Sequence, residues 1–151
     1  MDLDFSGRRF WEFEDHALVT NFPEEGLPLT DLGIDELVDR IDAAAVGLGS
    51  LNRRVYLFSG YEYWRLRHDR RMTVDRGYPL EISDVFRGVP PNVDAAFTNV
   101  DGNYTNMFLR SEIIYDTDAF MSITLVREVR DSIFHWLGPG THLKIYVHAG
   151  I

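Results

Sequence analysis

The feature that most constrains this chain is that it repeats itself. Phe58-Ser59-Gly60, followed by Trp64, recurs upstream as Phe5-Ser6-Gly7 with Trp11, an offset of 53 residues. Gly77-Tyr78-Pro79-Leu80 recurs as Gly26-Leu27-Pro28-Leu29 at an offset of 51, and Ile41-Asp42-Ala43-Ala44 and Val93-Asp94-Ala95-Ala96 are 52 apart. Downstream the echo is weaker: Phe108 and Glu112 stand 50 residues after Phe58 and Glu62, with Ile113 and Ile114 in the places of Tyr63 and Trp64. Features that recur in one order at one spacing mark a supersecondary unit that buries its faces only against its neighbours. A unit of this length carrying several strands points to an all-β propeller whose blades are the repeats.

The middle repeat is the most complete. Val55-Tyr56-Leu57-Phe58 is a short aromatic and branched run that predicts a strand, and Ser59-Gly60 turns the chain. Tyr63-Trp64-Arg65-Leu66-Arg67 mixes large apolar with charged residues and predicts a half-buried strand, with a polar turn at His68-Asp69-Arg70-Arg71 and a further strand at Met72-Thr73-Val74. Ile82, Val85 and Phe86, spaced i, i+3, i+4, predict a short helix stopped by Gly88 and Pro90-Pro91.

Composition sets limits on function. The chain has 151 residues, 45% of them hydrophobic, which suits one globular domain. Its net charge of −9 with only 15 Lys and Arg argues against nucleic acid as a partner, because phosphate binding needs a concentrated basic surface. The basic residues that do cluster, Arg65, Arg67, Arg70, Arg71 and Arg76, read as a solvated blade edge or, less ordinarily, as a polyanion patch. No apolar run approaches ~18 residues, so no membrane span is expected. The first ten residues also lack the order of a signal peptide. Zero cysteines exclude a disulfide framework and a thiol nucleophile. A zinc protease centre needs HExxH, and none of His16, His68, His135, His142 and His148 stands in that setting, so the chain reads as non-catalytic and without zinc.

The combination of the aromatic strand, the Tyr63-Trp64 strand, the Gly77-Tyr78-Pro79 turn and the Asp94-Ala95-Ala96 entry resembles the hemopexin repeat. The set of repeats resembles the C-terminal hemopexin-like domain of a matrix metalloproteinase. The resemblance implies a partial four-bladed β-propeller with a short helix after each blade. Its repeats would run over about 2–40 (incomplete), 41–92 and 93–138, with a tail at 139–151. A ring of about 200 residues exceeds this chain, which is therefore expected to be part of a longer gene product and, expressed alone, to be poorly soluble or to self-associate. Family members close the ring with a disulfide between first and last blades. Here Leu137-Gly138-Pro139 follows Trp136 where the last cysteine would stand. The alternating run Leu143-Lys144-Ile145-Tyr146-Val147 predicts one more strand, expected either to pack against the last blade or to be a read-through addition with no counterpart in the family.

The resemblance further implies a structural calcium ion in the axial channel, held by the main-chain carbonyls of Asp42, Ala44, Asp94 and Ala96. Calcium takes six to eight hard oxygens and accepts carbonyls readily. The residues themselves leave a second reading open, in which the two aspartates only bond neighbouring amides and the alanines simply pack. Asn103-Tyr104-Thr105 is a glycosylation sequon beside Asp101-Gly102, and Asn103 is a candidate acceptor or an accident of composition. Trp11 and Trp64 are expected in the core between blades rather than on a sugar-stacking or haem-facing surface.

The function expected from the resemblance is that of a non-catalytic protein-binding domain of an extracellular or secreted zinc metalloendopeptidase. Its partners would be matrix proteins such as collagen, tissue inhibitors of metalloproteinases, or a second copy of itself. The competing expectations are a stand-alone hemopexin-repeat protein that binds a small ligand such as haem, and an inert truncated product.

Overall fold

Each sequence repeat contributes an antiparallel sheet. The computed structural model describes residues 2–46, 54–67, 72–99, 105–110, 113–117, 123–128 and 144–145, with side chains as far as Ala96. The first sheet contains β1 (Asp2–Ser6), β2 (Arg9–Glu14), β3 (Ala17–Leu18) and β4 (Leu27–Pro28). The second runs in the order β5 (Ala43–Val46), β6 (Val55–Ser59), β7 (Glu62–Arg65), β8 (Leu80–Glu81), and the third in the order β9 (Ala95–Asn99), β10 (Thr105–Arg110), β11 (Ile113–Thr117), β12 (Ile123–Glu128). β13 (Lys144–Ile145) joins the first sheet beside β1. The described tail strand therefore pairs with the first sheet rather than with the last blade, the one neighbour that the sequence reading offered for it. The fold is all-β, made of propeller blades.

The second sheet shows why its strands read as unbroken apolar runs. Val55 and Leu57 of β6 face one cluster, with Trp64, Leu66 and Ala44, against Leu3, Phe10, Leu29 and Leu32 of the first repeat. Tyr56 and Phe58 face the opposite cluster, with Tyr63, Ile82, Phe86 and Val93. A sheet covered on both faces has no solvent side to mark with polar residues. Each fully buried Val, Leu or Phe contributes about 1.5–3 kcal/mol. The same geometry corrects the reading of β7 as half-buried, since adjacent Tyr63 and Trp64 point to opposite faces and both are buried.

A second correction concerns Met72-Thr73-Val74, which forms no strand; Val74 makes a single bridge to Leu66, and the outer strand is β8, paired with β7 through Glu62↔Glu81 and Tyr63↔Leu80. Helical turns follow the first two sheets. Leu29–Leu32 is a 3-10 turn after Pro28, stopped by Gly33 at φ +89°, a conformation that suits glycine. Helix α1 (Ile82–Val85) begins after β8 and inserts Ile82 into the second cluster. No helix among the described residues is long and apolar enough to cross a membrane.

Candidate functional site

The axial candidates lie where the innermost strands meet. β5 and β9 run alongside each other without pairing, which brings Ala44 and Ala96 into adjoining blades. Ala43 and Ala44 are fully buried, leaving no room for a larger side chain at this approach. Asp42 stands just before β5. Its amide donates to the Phe58 carbonyl at 2.8 Å, and its carboxylate accepts from Gly60 N–H at 2.8 Å and from Arg40 Nε at 2.8 Å. The amide-bonding reading of Asp42 thus describes its side chain, and an ion at this position would rely on its main-chain oxygen. Asp94 is exposed and stands one residue before β9. Among the described residues no cluster of three or more His, Asp or Glu side chains is disposed to hold a metal. A hard cation that takes backbone carbonyls fits this donor chemistry better than one needing side-chain ligands. Asn103 lies outside the described residues.

A groove of about 620 Å³ opens beside this region, between the 37–42 loop and the β6–β7 hairpin. Asp35 shapes its first wall by accepting the Leu37 amide at 2.8 Å, a local turn that competes with regular structure. Leu37 is thereby turned outward and is 82% exposed. An ion pair from Arg8 to Asp39 at 2.5 Å and the hydrogen bond from Gly60 N–H to the Asp42 carboxylate join the loop to its neighbours, and Arg40 pairs with Asp42 at 2.8 Å within it. The second wall is the hairpin tip, where Gly60 takes φ +56° and Tyr61 emerges 67% exposed. Trp64 and Val38 line the groove between two apolar rim residues, and Glu62 and Glu81 stand directly opposite each other on β7 and β8. Like charges in opposed positions are unfavourable, so this rim favours a partner that brings positive charge. Sequence reasoning missed Leu37 and Tyr61; the signals were the Asp35-x-Leu37 turn and the position of Tyr61 directly after Ser59-Gly60.

Burial and pairing set the state of several other described groups. Burial, and next the neighbouring Tyr78, push the Tyr63 hydroxyl far above the usual tyrosine range. Its ring lies 5.2 Å from Phe86 and 5.5 Å from Tyr78 between centroids. The hydrogen bond from Arg65 holds the Asp75 carboxyl below its ordinary value, at 2.6 Å from the guanidinium, which also lies 5.0 Å over the Tyr78 ring. Burial raises Glu12. Arg65 and Arg67 are committed to Asp75 and Thr73, which favours the solvated-edge reading of the basic cluster over a polyanion patch; Arg70 and Arg71 lie outside the described residues. Trp64 occupies the inter-sheet core as expected. Trp11 does not: it is half-buried over the 24–26 turn, donating from Nε1 to the Glu24 carbonyl at 2.9 Å.

Comparison with known proteins bears on the same segments. The hemopexin family model matches residues 41–91, the span of the second sheet and α1. Stromelysin-3 of Xenopus laevis is 41% identical over 98 residues, 65% of this chain and 19% of its own length. Matrix metalloproteinase-18 of Xenopus laevis is 34% identical over 136 residues, 90% of this chain and 27% of its own length. Matrix metalloproteinase-2 of Drosophila melanogaster is 38% identical over 98 residues and 12% of its length. The chain thus spans less than a third of each of these relatives. Among solved structures, a hemopexin-fold protein from cow pea superposes with a TM-score of 0.64 at 17% identity, covering 91% of this chain and 67% of that one. A plant albumin from Cicer arietinum showing hemagglutination gives 0.63 at 16%, covering 93% and 70%. Those two likenesses speak for the fold; residues 41–91 match the hemopexin family, and the chain is similar to matrix metalloproteinases, in keeping with the hemopexin-like repeats of their C-terminal domains.

Proposed function

We propose that this chain is the non-catalytic recognition domain of an extracellular zinc metalloendopeptidase and that it binds a matrix protein, with fibrillar collagen the first partner to test. The observation that carries the reading is the groove lined by exposed Leu37 and Tyr61 with Glu62 and Glu81 beside them. A large apolar pair beside a concave surface is the usual make-up of an interface anchor, and aromatic anchors contribute about 2 kcal/mol or more when truncated. The acidic rim selects for a partner with basic residues near its apolar contact. The test is binding of immobilised collagen, and in parallel of a tissue inhibitor of metalloproteinases, by wild type and by Leu37→Asp and Tyr61→Asp. Both side chains are exposed, so the variants should melt like wild type. A tenfold or greater loss of collagen binding supports the reading. Unchanged binding overturns the assignment of this groove, and loss of inhibitor binding alone overturns the choice of matrix protein.

The calcium expectation stands as part of the same proposal. Carbonyls of Asp42 and Ala44, at the entry to β5, and of Asp94 and Ala96, at the entry to β9, would hold the ion, and the cation would tie adjacent blades together. With water completing the shell, affinity should fall near the roughly 10⁻⁴–10⁻³ M of extracellular calcium modules. The check is a thermal melt in millimolar calcium against chelator, on the parent, on Asp42→Ala, and on a variant with one residue inserted between Asp94 and Ala96. Asp42→Ala keeps its carbonyl and should retain most of the calcium shift. The insertion reverses the strand's alternation and should abolish it. No shift in the parent, or equal loss in both variants, refutes a main-chain site.

A further inference from the structure

The carboxylates that line the groove are not equivalent. Asp39 is paired with Arg8 and Asp42 with Arg40, so the chain itself matches their charge. Glu62 and Glu81 are exposed, and among the described residues neither side chain has a cation or a hydrogen-bond donor beside it. They stand opposite each other on β7 and β8, on the face of the sheet that bears Trp64 two residues on from Glu62. Directly opposed Cβ atoms lie about 4.5–5.5 Å apart, so both carboxylates can reach one positive group. The hairpin tip next to them is held at its main chain from three directions. Gly60 N–H donates to the Asp42 carboxylate at 2.8 Å, the Gly60 carbonyl accepts from Asn92 N–H at 2.7 Å, and the Tyr61 carbonyl accepts from Ile82 N–H at 2.9 Å. Tyr61 is therefore displayed from a backbone already fixed before any partner arrives.

We infer, on the reading of this groove as the docking surface, that it recognises an extended protein segment presenting an arginine next to a bulky apolar residue. The guanidinium sits between Glu62 and Glu81, and the apolar side chain packs against Leu37 and Tyr61. A cation placed there replaces the repulsion between two opposed carboxylates with attraction to both. Arginine suits the seat better than lysine. Its planar fork carries five N–H donors, enough to bond two carboxylates at once, its charge is more weakly hydrated than an ammonium, and its flat face stacks on an exposed tyrosine. Asp39 and Asp42 offer no such seat, since each already holds an arginine of this chain. The fixed tip lowers the ordering cost of binding.

The test uses the full chain in chelator, so that calcium plays no part, with immobilised peptides Gly-Leu-X-Leu-Gly in which X is arginine, lysine or citrulline, the uncharged isostere of arginine. Wild type should bind the arginine peptide at least about tenfold more tightly than the citrulline peptide, and about threefold more tightly than the lysine peptide. Glu62→Gln/Glu81→Gln keeps the shape of both exposed side chains and removes the like-charge contact. It should melt no lower than wild type and bind the three peptides alike, with Glu62→Gln alone losing part of the discrimination. No binding of the arginine peptide by wild type, no preference for it over citrulline, or an equal preference in the double variant overturns the inference, and equal binding of arginine and lysine overturns the choice of a guanidinium. Immobilised collagen separates these outcomes from those of the docking reading. Collagen bound equally by wild type and the double variant counts against the arginine seat while leaving a matrix partner in place. Glutamate-dependent binding of the arginine peptide without binding of collagen supports the seat and removes that partner.

Discussion

Replacing Trp64 with alanine tests whether the sheets are stacked as blades. The indole is 1% exposed and sits in the cluster shared by Leu3, Phe10, Leu29 and Leu32 of the first repeat with Val55 and Leu57 of the second. A side chain of this size buries about 150–250 Å², which at about 25 cal/mol per Å² corresponds to about 4–6 kcal/mol. The alanine methyl retains part of that, leaving a loss of about 3–5 kcal/mol, the range typical of large aromatic truncations. Trp11 supplies the internal comparison. It follows Phe-Ser-Gly at the same distance yet is half-buried, and its removal forfeits one hydrogen bond to Glu24 and part of a contact with the 24–26 turn, together about 1–2 kcal/mol. Urea melts of the two variants should therefore differ in midpoint with similar slopes. Because domains of this size are stable by only about 5–15 kcal/mol, Trp64→Phe is the milder companion should the alanine variant fail to fold. Equal losses at Trp11 and Trp64, or a loss near zero at Trp64, would refute the inter-sheet placement.

Further outcomes follow from single contacts. Gly26→Ala puts a Cβ 2.5 Å from Trp11 Cε2 at φ +77°, whereas Gly7→Ala meets nothing within 4 Å at φ +54°. Both carry left-handed strain of about 1–2 kcal/mol, so a melt showing Gly26→Ala no worse than Gly7→Ala would count against the packing of Trp11 over this turn. Asp75 has its folded pKa depressed by the hydrogen bond from Arg65. The stability it confers is present above the unfolded carboxylate value of about 3.9 and is lost as pH falls through the folded value. The midpoint difference between wild type and Asp75→Asn should close on going from pH 7 to pH 2, and a pH-independent difference would contradict the pairing. Glu12 has the opposite sign: burial raises its folded pKa, so its charge costs stability above that value and the cost vanishes below the unfolded one. Glu12→Gln should melt later than wild type at pH 7 with the gain disappearing near pH 3; no gain at pH 7 would exclude a desolvation penalty.

Much of the architecture was legible in the residues because periodic sequence imposes periodic structure. The recurrence of Phe-Ser-Gly, of the Gly-x-Pro-Leu turn and of Asp-Ala-Ala at 51–53 residues required stacked units, and the i, i+3, i+4 spacing of Ile82, Val85 and Phe86 marked the turn that became α1. Local pattern fails where burial comes from both sides. Tyr63 and Trp64 violate the alternation of a half-buried strand because each faces a different neighbour, and Met72-Thr73-Val74 has strand composition but only one bridge to Leu66. The outward turn of Leu37 depends on one side-chain acceptor, Asp35, and the groove exists only because the 37–42 loop and the β6–β7 hairpin come to rest beside each other. Sequence alone determined that this chain is built of repeated β units with small residues at each entry. Which edge the tail strand takes, and which tryptophan is core, were decided by tertiary structure, since pairing and burial depend on neighbours remote along the chain.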